Sequence, residues 1–350
     1  MKERKLNDNS FQKDTEIAIG LQTSPLGVGG EIESSNYSPL ASGDGGNIPL
    51  FVIKIGGNIV DNEIALQSFL KNFASIKANK ILIHGGGKIA TKIGEQLGIK
   101  SNYVNGRRIT DAATIDLVTM VYGGLVNKKI VVKLQSMQCN AIGLTGADAN
   151  IIPAKKRPIV FPPRTVSGEK ANGSKTSPLG AGGETESTKT SPLASGAWGG
   201  DGGIDYGFVG DVTSSSIGVQ NLQALLSNNF TIVFAPLTHD GNGQMLNTNA
   251  DTIASSLAVA LSSIYDVRLI YCFEKKGVLE NVEDENSVIT LITKEKYAHL
   301  LRDKKLFDGI LPKIDNAFAA IDNGVKEVLI GDANDLLQNV TANTIGTLIK

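Results

Sequence analysis

Cysteine is nearly absent from this chain. Cys139 and Cys272 are the only two in 350 residues, and they lie far apart. That excludes a disulfide framework and any metal or redox motif built on closely spaced thiols. Two free, buried thiols in a reducing compartment are the expectation. Histidine is scarce too, with His84, His239 and His299 alone. None forms a recognisable Asp–His pair, and His84, inside an apolar run, reads as a packed strand residue rather than a base. Neither sign of charge dominates: 34 Lys and Arg face 35 Asp and Glu, for a net charge of −1. A neutral balance leaves no electrostatic footprint for nucleic acid or an anionic membrane. No apolar run approaches the roughly 18 residues that cross a bilayer. The opening stretch MKERKLNDNSFQKDTEIAIG is polar, without the apolar region of a secretory signal. Small-molecule partners and a cytoplasmic location are therefore expected.

What is present begins with a repeat. Residues 23–43 read TSPLGVGGEIESSNYSPLASG and residues 176–196 read TSPLGAGGETESTKTSPLASG, identical at 16 of 21 positions. Both run on to an Asp-Gly-Gly step, at Asp44 and Asp201. Two distant copies do not make a solenoid, whose neighbouring units must bury one another's faces. The copies are rich in Gly, Ser, Thr and Pro and poor in large apolar residues, which predicts two flexible insertions.

The rest alternates between strand and helix patterns. Residues 50–55, 80–84, 141–145, 230–235, 267–272 and 327–330 are short apolar runs that predict buried strands. Apolar positions at helical spacing predict helices over 62–77 (Ile64, Leu66, Phe69, Leu70, Phe73, Ile76), 88–97, 249–262, 294–302 and 310–323. A longer helix over 111–138 is expected to bend at Gly123-Gly124. Residues 151–160 and 205–213 predict the arms of a hairpin, with the second repeat copy at its tip. A hairpin tip tolerates a long insertion because closure entropy grows slowly with length. The alternation as a whole predicts an α/β fold around a mainly parallel sheet.

Two of the strands end in glycine turns. Lys54-Ile55-Gly56-Gly57 closes the first, and His84-Gly85-Gly86-Gly87 closes the second and opens a helix. Glycine lets backbone approach a phosphate, and helix N-termini present free N–H donors to anions. Neither turn is a Walker loop, since Ile89 stands after Lys88 where Ser or Thr is required. Lys54 lies within an apolar run, where a lysine is seldom left without a partner. Asn105-Gly106-Arg107-Arg108-Ile109-Thr110 sets two guanidiniums before a helix, and arginine grips carboxylates with paired hydrogen bonds. Met245-Leu246-Asn247-Thr248-Asn249-Ala250-Asp251 brings an amide and a carboxylate to a helix start. Asp308-Gly309-Ile310-Leu311-Pro312-Lys313 brings a second lysine to another.

In this order, K-x-G-G, H-G-G-G, N-G-x-R-x-T, M-x-N-x-N-A-D and D-G-x-x-x-K resemble the motifs of the amino-acid kinase family. The resemblance runs from about Leu50 to the C-terminus, apart from roughly residues 160–203. It implies a three-layer αβα sandwich. It implies an acyl-glutamate-binding lobe over 48–262, interrupted by the insertion at 165–203, and a nucleotide-binding lobe over 263–350. Residues 1–47 form an N-terminal extension with the first repeat copy. The implied reaction is transfer of the γ-phosphate of ATP to the side-chain carboxylate of N-acetyl-L-glutamate, a step of arginine biosynthesis. N-succinyl-L-glutamate, or non-catalytic sensing of arginine, are the alternatives. By the resemblance, Lys54 and Lys313 stabilise the transferring phosphoryl group and Asp251 holds both ammoniums. Gly56 and Gly57 bind phosphate. Gly86, Gly87, Arg108 and Asn247 bind the acyl-glutamate, while Arg107 stands at a variable position. Mg²⁺ is expected to arrive with ATP, with no protein metal ligand assigned. One departure stands out: where the family carries a Ser/Thr-Asp step before a glycine, this chain has Phe273-Glu274-Lys275-Lys276-Gly277. Residues 1–20 lack the periodic apolar positions of the extra helix found in arginine-regulated members. A homodimer without arginine inhibition is expected.

Overall fold

A computed structural model describes residues 48–104, 107–161, 203–281, 283–303, 306 and 310–350. Both repeat copies, the N-terminal extension and residues 165–202 of the second insertion lie outside these. All described residues fall in one compact unit.

The first half runs β1 (Ile48–Ile55), α1 (Gly57–Asp61), α2 (Glu63–Ser75), β2 (Asn79–Ile83), α3 (Gly87–Gln96), β3 (Asn102–Val104), β4 (Arg107–Ile109), α4 (Ala112–Val118), α5 (Asn127–Ser136) and β5 (Ala141–Leu144). It continues through β6 (Lys155–Lys156), β7 (Gly210–Asp211), α6 (Val219–Ser227), β8 (Thr231–Phe234), β9 (Leu237–His239), β10 (Met245–Asn247) and α7 (Ala250–Leu261). The remainder is β11 (Tyr265–Phe273), β12 (Leu291–Ile292), α8 (Lys294–Arg302), α9 (Leu311–Asp322), β13 (Glu327–Asp332), α10 (Leu336–Asn339) and β14 (Thr347–Ile349).

Eight strands form one sheet in the order β12-β14-β13-β11-β1-β2-β8-β5. Every pair in it is parallel except β13 with β14. Strand β1 shows why: its residues alternate between two cores. Leu50 and Val52 join a cluster with Leu222 of α6, Leu257 of α7 and Ile314 of α9. Phe51, Ile53 and Ile55 join another with Phe69 of α2, Val118 of α4 and Leu134 of α5. A strand buried on both faces must be apolar along its length, and only helices on both faces provide that burial. The result is the expected three-layer αβα sandwich.

Helix α2 shows how the helical layers attach. Asn62 caps it, accepting from the amides of Ile64 and Ala65 at 3.1 Å each. Leu66, Phe69, Leu70 and Phe73 then face the sheet. Burying each of these large side chains contributes about 1.5–3 kcal/mol. Ile64, counted with the apolar stripe in the sequence, points outward instead.

Two expectations are refined. The predicted bend in the helix over 111–138 is an eight-residue π-helical segment, Thr119–Val126, between α4 and α5. Gly123 lies within it, and a Cβ there would come 3.3 Å from Leu237. Residues 245–247, read simply as the approach to a helix, form strand β10, which pairs with β9 in a hairpin. The predicted hairpin at the root of the second insertion is present: Lys155 pairs with Asp211, and Val160 exchanges hydrogen bonds with Ile204.

Candidate active site

Strand β1 lies between β11 and β2, and the chain leaves these strands towards opposite edges of the sheet. In such sheets ligands settle in the crevice outside the carboxyl ends of the strands, where the strand order reverses. The turns after β1 and β2 meet here: a Cβ at Gly85 would lie 3.5 Å from the Gly57 backbone. The Gly56 amide is already engaged, donating to Cys272 O at 3.1 Å. Gly57 and Gly87 are the first residues of α1 and α3, where helix amides have no intrahelical acceptor. Nothing lies within 4 Å of a Cβ built on either, so both face open space. Gly86 must be glycine, because its φ is +154° and a Cβ would press on the Tyr122 ring at 3.2 Å.

The charged centre is assembled from three elements. Lys54 near the end of β1 extends its ammonium to 2.8 Å from Asp251 Oδ1, in the first turn of α7. Asn249 caps that helix through the amides of Asp251 and Thr252 and so leaves the Asp251 carboxylate free for the lysine. The contact is an ion pair without hydrogen-bond alignment, so the buried Oδ1 still lacks a directed donor. Lys313, in the first turn of α9, places its ammonium 3.8 Å from the centre of the Phe273 ring. The Lys54 ammonium is 4.9 Å from the same centre. Burial lowers the Lys313 pKa, and Lys54 adds to that, while the Asp251 and Glu274 charges oppose it. Thus Lys54, Lys313 and Asp251, spread over 260 residues of sequence, converge.

A cleft of about 250 Å³ begins beside this centre. Gly85, Gly86, Gly87, Arg108, Asn247 and Asn249 line it, and it reaches Ala250, one residue short of Asp251. Arg108 is buried and rigidly held. Its guanidinium donates to Gly87 O at 3.1 Å, to Thr91 Oγ1 at 2.9 Å and to Ser101 Oγ. It also lies 4.9 Å from the centre of the Tyr103 ring. Asn247 in β10 donates from Nδ2 to Thr110 Oγ1 at 3.1 Å. The stretch after the insertion joins these pieces. Phe208 N donates to Thr110 O at 2.7 Å, and Asn247 N donates to Phe208 O at 2.9 Å. Gly207 permits the crossing, with φ of +72° and a Thr110 carbonyl 2.1 Å from where a Cβ would stand.

His84 has no access to the cleft. It is fully buried, accepts from Asn127 Nδ2 through Nε2 at 3.3 Å and donates from Nδ1 to Gly85 O at 2.7 Å. Burial pushes its pKa down to about 4. It braces the glycine turn as a neutral ring.

The structure therefore brings together Lys54, Lys313, Asp251, Gly57, Gly86, Gly87, Arg108 and Asn247. Gly56 belongs to the turn through its position rather than through its amide. Asn105, Gly106, Asp308 and Gly309 of the motifs lie outside the described residues. Sequence reasoning missed Tyr103, Tyr122 and Arg157, noted Phe273 only as a departure from the family pattern, and set Arg107 aside. Arg107 and Arg157 both line the cleft. Burial and the Arg157 charge lower the Arg107 pKa, with Tyr206 and Asp211 acting the other way. Arg157 forks onto Asp211, with Nε 3.1 and 3.2 Å from its two oxygens. Its position at the foot of an insertion gave no signal in the sequence.

Comparison with known proteins gives the same outline. Residues 49–332 match the model of the amino acid kinase family. The acetylglutamate kinase of Cytophaga hutchinsonii is 51% identical over 299 residues, covering 85% of this chain and 97% of that protein. The acetylglutamate kinase of Phocaeicola vulgatus is 45% identical over 301 residues, covering 86% and 98%. Among solved structures, N-acetylglutamate synthase from Neisseria gonorrhoeae, complexed with coenzyme A and N-acetyl-glutamate, aligns with a TM-score of 0.61 at 18% identity. That alignment covers 86% of this chain and 59% of that one, and at such identity it speaks to the fold alone.

Proposed function

The chain belongs to the amino acid kinase family, and we propose that it transfers the γ-phosphate of ATP to the side-chain carboxylate of N-acetyl-L-glutamate. The products are N-acetyl-L-glutamyl 5-phosphate and ADP, an early step of arginine biosynthesis. The observation that carries this reading is the convergence of Lys54, Lys313 and Asp251 beside a cleft floored by glycines and walled by arginine.

A carboxylate oxygen attacks the γ-phosphorus in line, forming one P–O bond as the bond to the β-phosphate oxygen breaks and ADP leaves. No proton moves, because a glutamate carboxyl group with a pKa of about 4.3 is already ionised at neutral pH. The site accordingly offers charge rather than a base. Lys54 and Lys313 meet the negative charge on the phosphoryl oxygens, and Asp251 keeps the first of them aimed. Gly57 donates to phosphate and Gly86 and Gly87 shape the acceptor's side of the turn. Arg108 and Asn247 hold the α-carboxylate and the groups beside it. Two ammoniums at the centre disfavour a dication bound by protein alone. Mg²⁺ therefore travels on the phosphate oxygens of the nucleotide, the hard donors it prefers. In this reading 48–262 carries the acyl-glutamate and 263–350 the nucleotide. The enzyme works in the cytoplasm as a homodimer, for which the exposed Met120, Leu125 and Val132 offer an apolar face.

A second reading concerns the acyl group. N-acetyl-L-glutamate brings one carboxylate besides the reacting one, yet Arg107, Arg108 and Arg157 all line the cleft, offset there by Asp211. Three guanidiniums along one cleft favour N-succinyl-L-glutamate, whose acyl arm ends in a further carboxylate. Trapping the acyl phosphate with hydroxylamine, with ATP, Mg²⁺ and each substrate in turn, tests both readings. Turnover of either establishes carboxylate phosphorylation, and the ratio of kcat/KM assigns the acyl group. A folded protein that turns over neither refutes both.

A further inference from the structure

Phe273 occupies the position where the sequence departs from the family's Ser/Thr-Asp step. Its ring lies close to two cations, of which Asp251 forms an ion pair with only one. Asp251 pairs with Lys54 at 2.8 Å. Lys313 makes no ion pair within 4 Å among the described residues, and its ammonium stands 3.8 Å from the centre of the Phe273 ring. The same ring stands 4.9 Å from Lys54. The face of a benzene ring is negative, and a desolvated ammonium over it gains up to about 2 kcal/mol. A lysine tail otherwise keeps several rotamers open, and ordering it costs entropy.

We propose that Phe273 is a positioning residue for phosphoryl transfer: its ring holds the Lys54 and Lys313 ammoniums side by side, ready for the phosphate. This rests on the kinase reading above. The ring is itself firmly set. Phe273 pairs with Asp332 at the end of β11 and stacks on Tyr271, with centroids 6.3 Å apart and planes 17° apart. The Tyr271 hydroxyl donates to the main-chain carbonyl of Asp251 at 3.4 Å, which ties the stacked ring pair to the start of α7. On the other side, a Cβ at Gly56 would lie 3.9 Å from the Phe273 ring, which puts the platform beside the phosphate turn. The arrangement lets two like charges gather before any phosphate arrives. The Asp251 oxygen that lacks an aligned donor then offers Lys313 a second contact once it leaves the ring.

The test varies the ring's charge distribution while keeping its shape. Fluorinated phenylalanines are placed at position 273, from one fluorine to five, with Phe273→Leu and Phe273→Tyr alongside. Wild-type turnover in the hydroxylamine assay comes first, since its absence refutes the kinase reading and leaves nothing to position. Given turnover, kcat should fall stepwise with each fluorine, reaching about three- to thirtyfold for five, the equivalent of one cation–π contact. Phe273→Leu should match that loss and Phe273→Tyr should recover most of it. KM for ATP should stay within about twofold of wild type throughout. The alkaline limb of kcat/KM should move to lower pH with fluorination, because the ring favours charged Lys313. A flat fluorine series overturns the proposal, as does a rise in KM for ATP with kcat unchanged, which would mean that the ring stacks on the nucleotide. The fluorine series decides the matter even if Phe273→Leu fails to fold.

Discussion

Replacing Lys313 separates charge from shape at the reacting centre. Lys313→Met keeps the length of the side chain and its contact with the Phe273 ring but removes the ammonium. A unit charge about 4 Å from a phosphoryl oxygen is worth roughly 4 kcal/mol at an effective dielectric of 20. Lys54 remains and takes up part of that charge, so a loss of about 10²–10³ in kcat is expected, the range found when one preorganised donor is removed. KM for ATP should move little, since the charge is needed most in the transition state. Lys313→Arg restores charge with a different reach and should recover part of kcat. The two variants also differ in pH dependence. Burial lowers the Lys313 pKa from 10.5, so wild-type kcat/KM should fall as pH rises through that lowered value and the ammonium is lost. The guanidinium of Lys313→Arg stays charged, so its alkaline limb should lie at higher pH or vanish. Rates come from the hydroxylamine assay, with thermal melts confirming the fold. A loss under about fivefold for Lys313→Met, or an alkaline limb unchanged in Lys313→Arg, would refute the role given to this lysine.

Arg108→Lys is not conservative here. It gives up the fork onto Gly87 O, Thr91 and Ser101 and the stacking on Tyr103. KM for the acyl-glutamate should rise about tenfold or more, with kcat changing less; an unchanged KM would count against a carboxylate site. Buried His84 couples stability to acid. Its folded pKa of about 4 lies below the ordinary 6.5, so the unfolded chain binds the extra proton between those values. Its contribution is complete above about pH 6.5 and is lost as pH falls through 4, roughly 2–3 kcal/mol by pH 4.5. Urea melts of wild type and His84→Gln at pH 7.5 and 4.5 should differ by that much in their pH response; equal responses would show that His84 does not stay neutral. Replacing residues 165–202 with a short Gly-Ser turn should leave kcat within about twofold, because Val160 and Ile204 already close the hairpin. The shorter loop costs about 1–2 kcal/mol less to close. Loss of folding would show that the segment packs on the body.

Six of the eight sheet strands were legible because they are buried on both faces, which forces uninterrupted runs such as Leu50–Ile55, whereas β12 and β14, two and three residues long, were not. The long helices were legible because one face is buried, which forces the spacing of Leu66, Phe69, Leu70 and Phe73. The short pieces that shape the cleft were not. Strands β3, β4, β9 and β10 have three residues each and are held by each other and by residues 206–211 across long sequence gaps, so no local pattern marks them. Helix α6 was missed although Leu222 and Leu226 are buried on it, because polar residues fill most of its other positions. The π-helical segment shows the same limit. Two glycines announced a bend, but the reason for it is tertiary: Gly123 is pressed against Leu237, and Tyr122 is turned to cover Gly86.

The site divides along the same line. Glycine turns and isolated charges at strand and helix ends can be read from sequence, because few structural reasons compete for those residue types in those places. What a side chain rests upon cannot. Lys313 was singled out by its motif, and only the fold sets its ammonium on the Phe273 ring. Asp251, expected to hold both ammoniums, forms its ion pair with Lys54. Phe273 stood out in the sequence only as a departure from a pattern. In the fold the centre of its ring lies within 4.9 Å of both lysine ammoniums, a neighbourhood that no local sequence pattern reveals. The same holds for Arg157: its neighbours in sequence are an insertion and a hairpin, and its neighbours in space are Asp211, Tyr206 and the cleft. The residues proposed to act on substrate can be read by type and order, and the residues packed around them only through the fold.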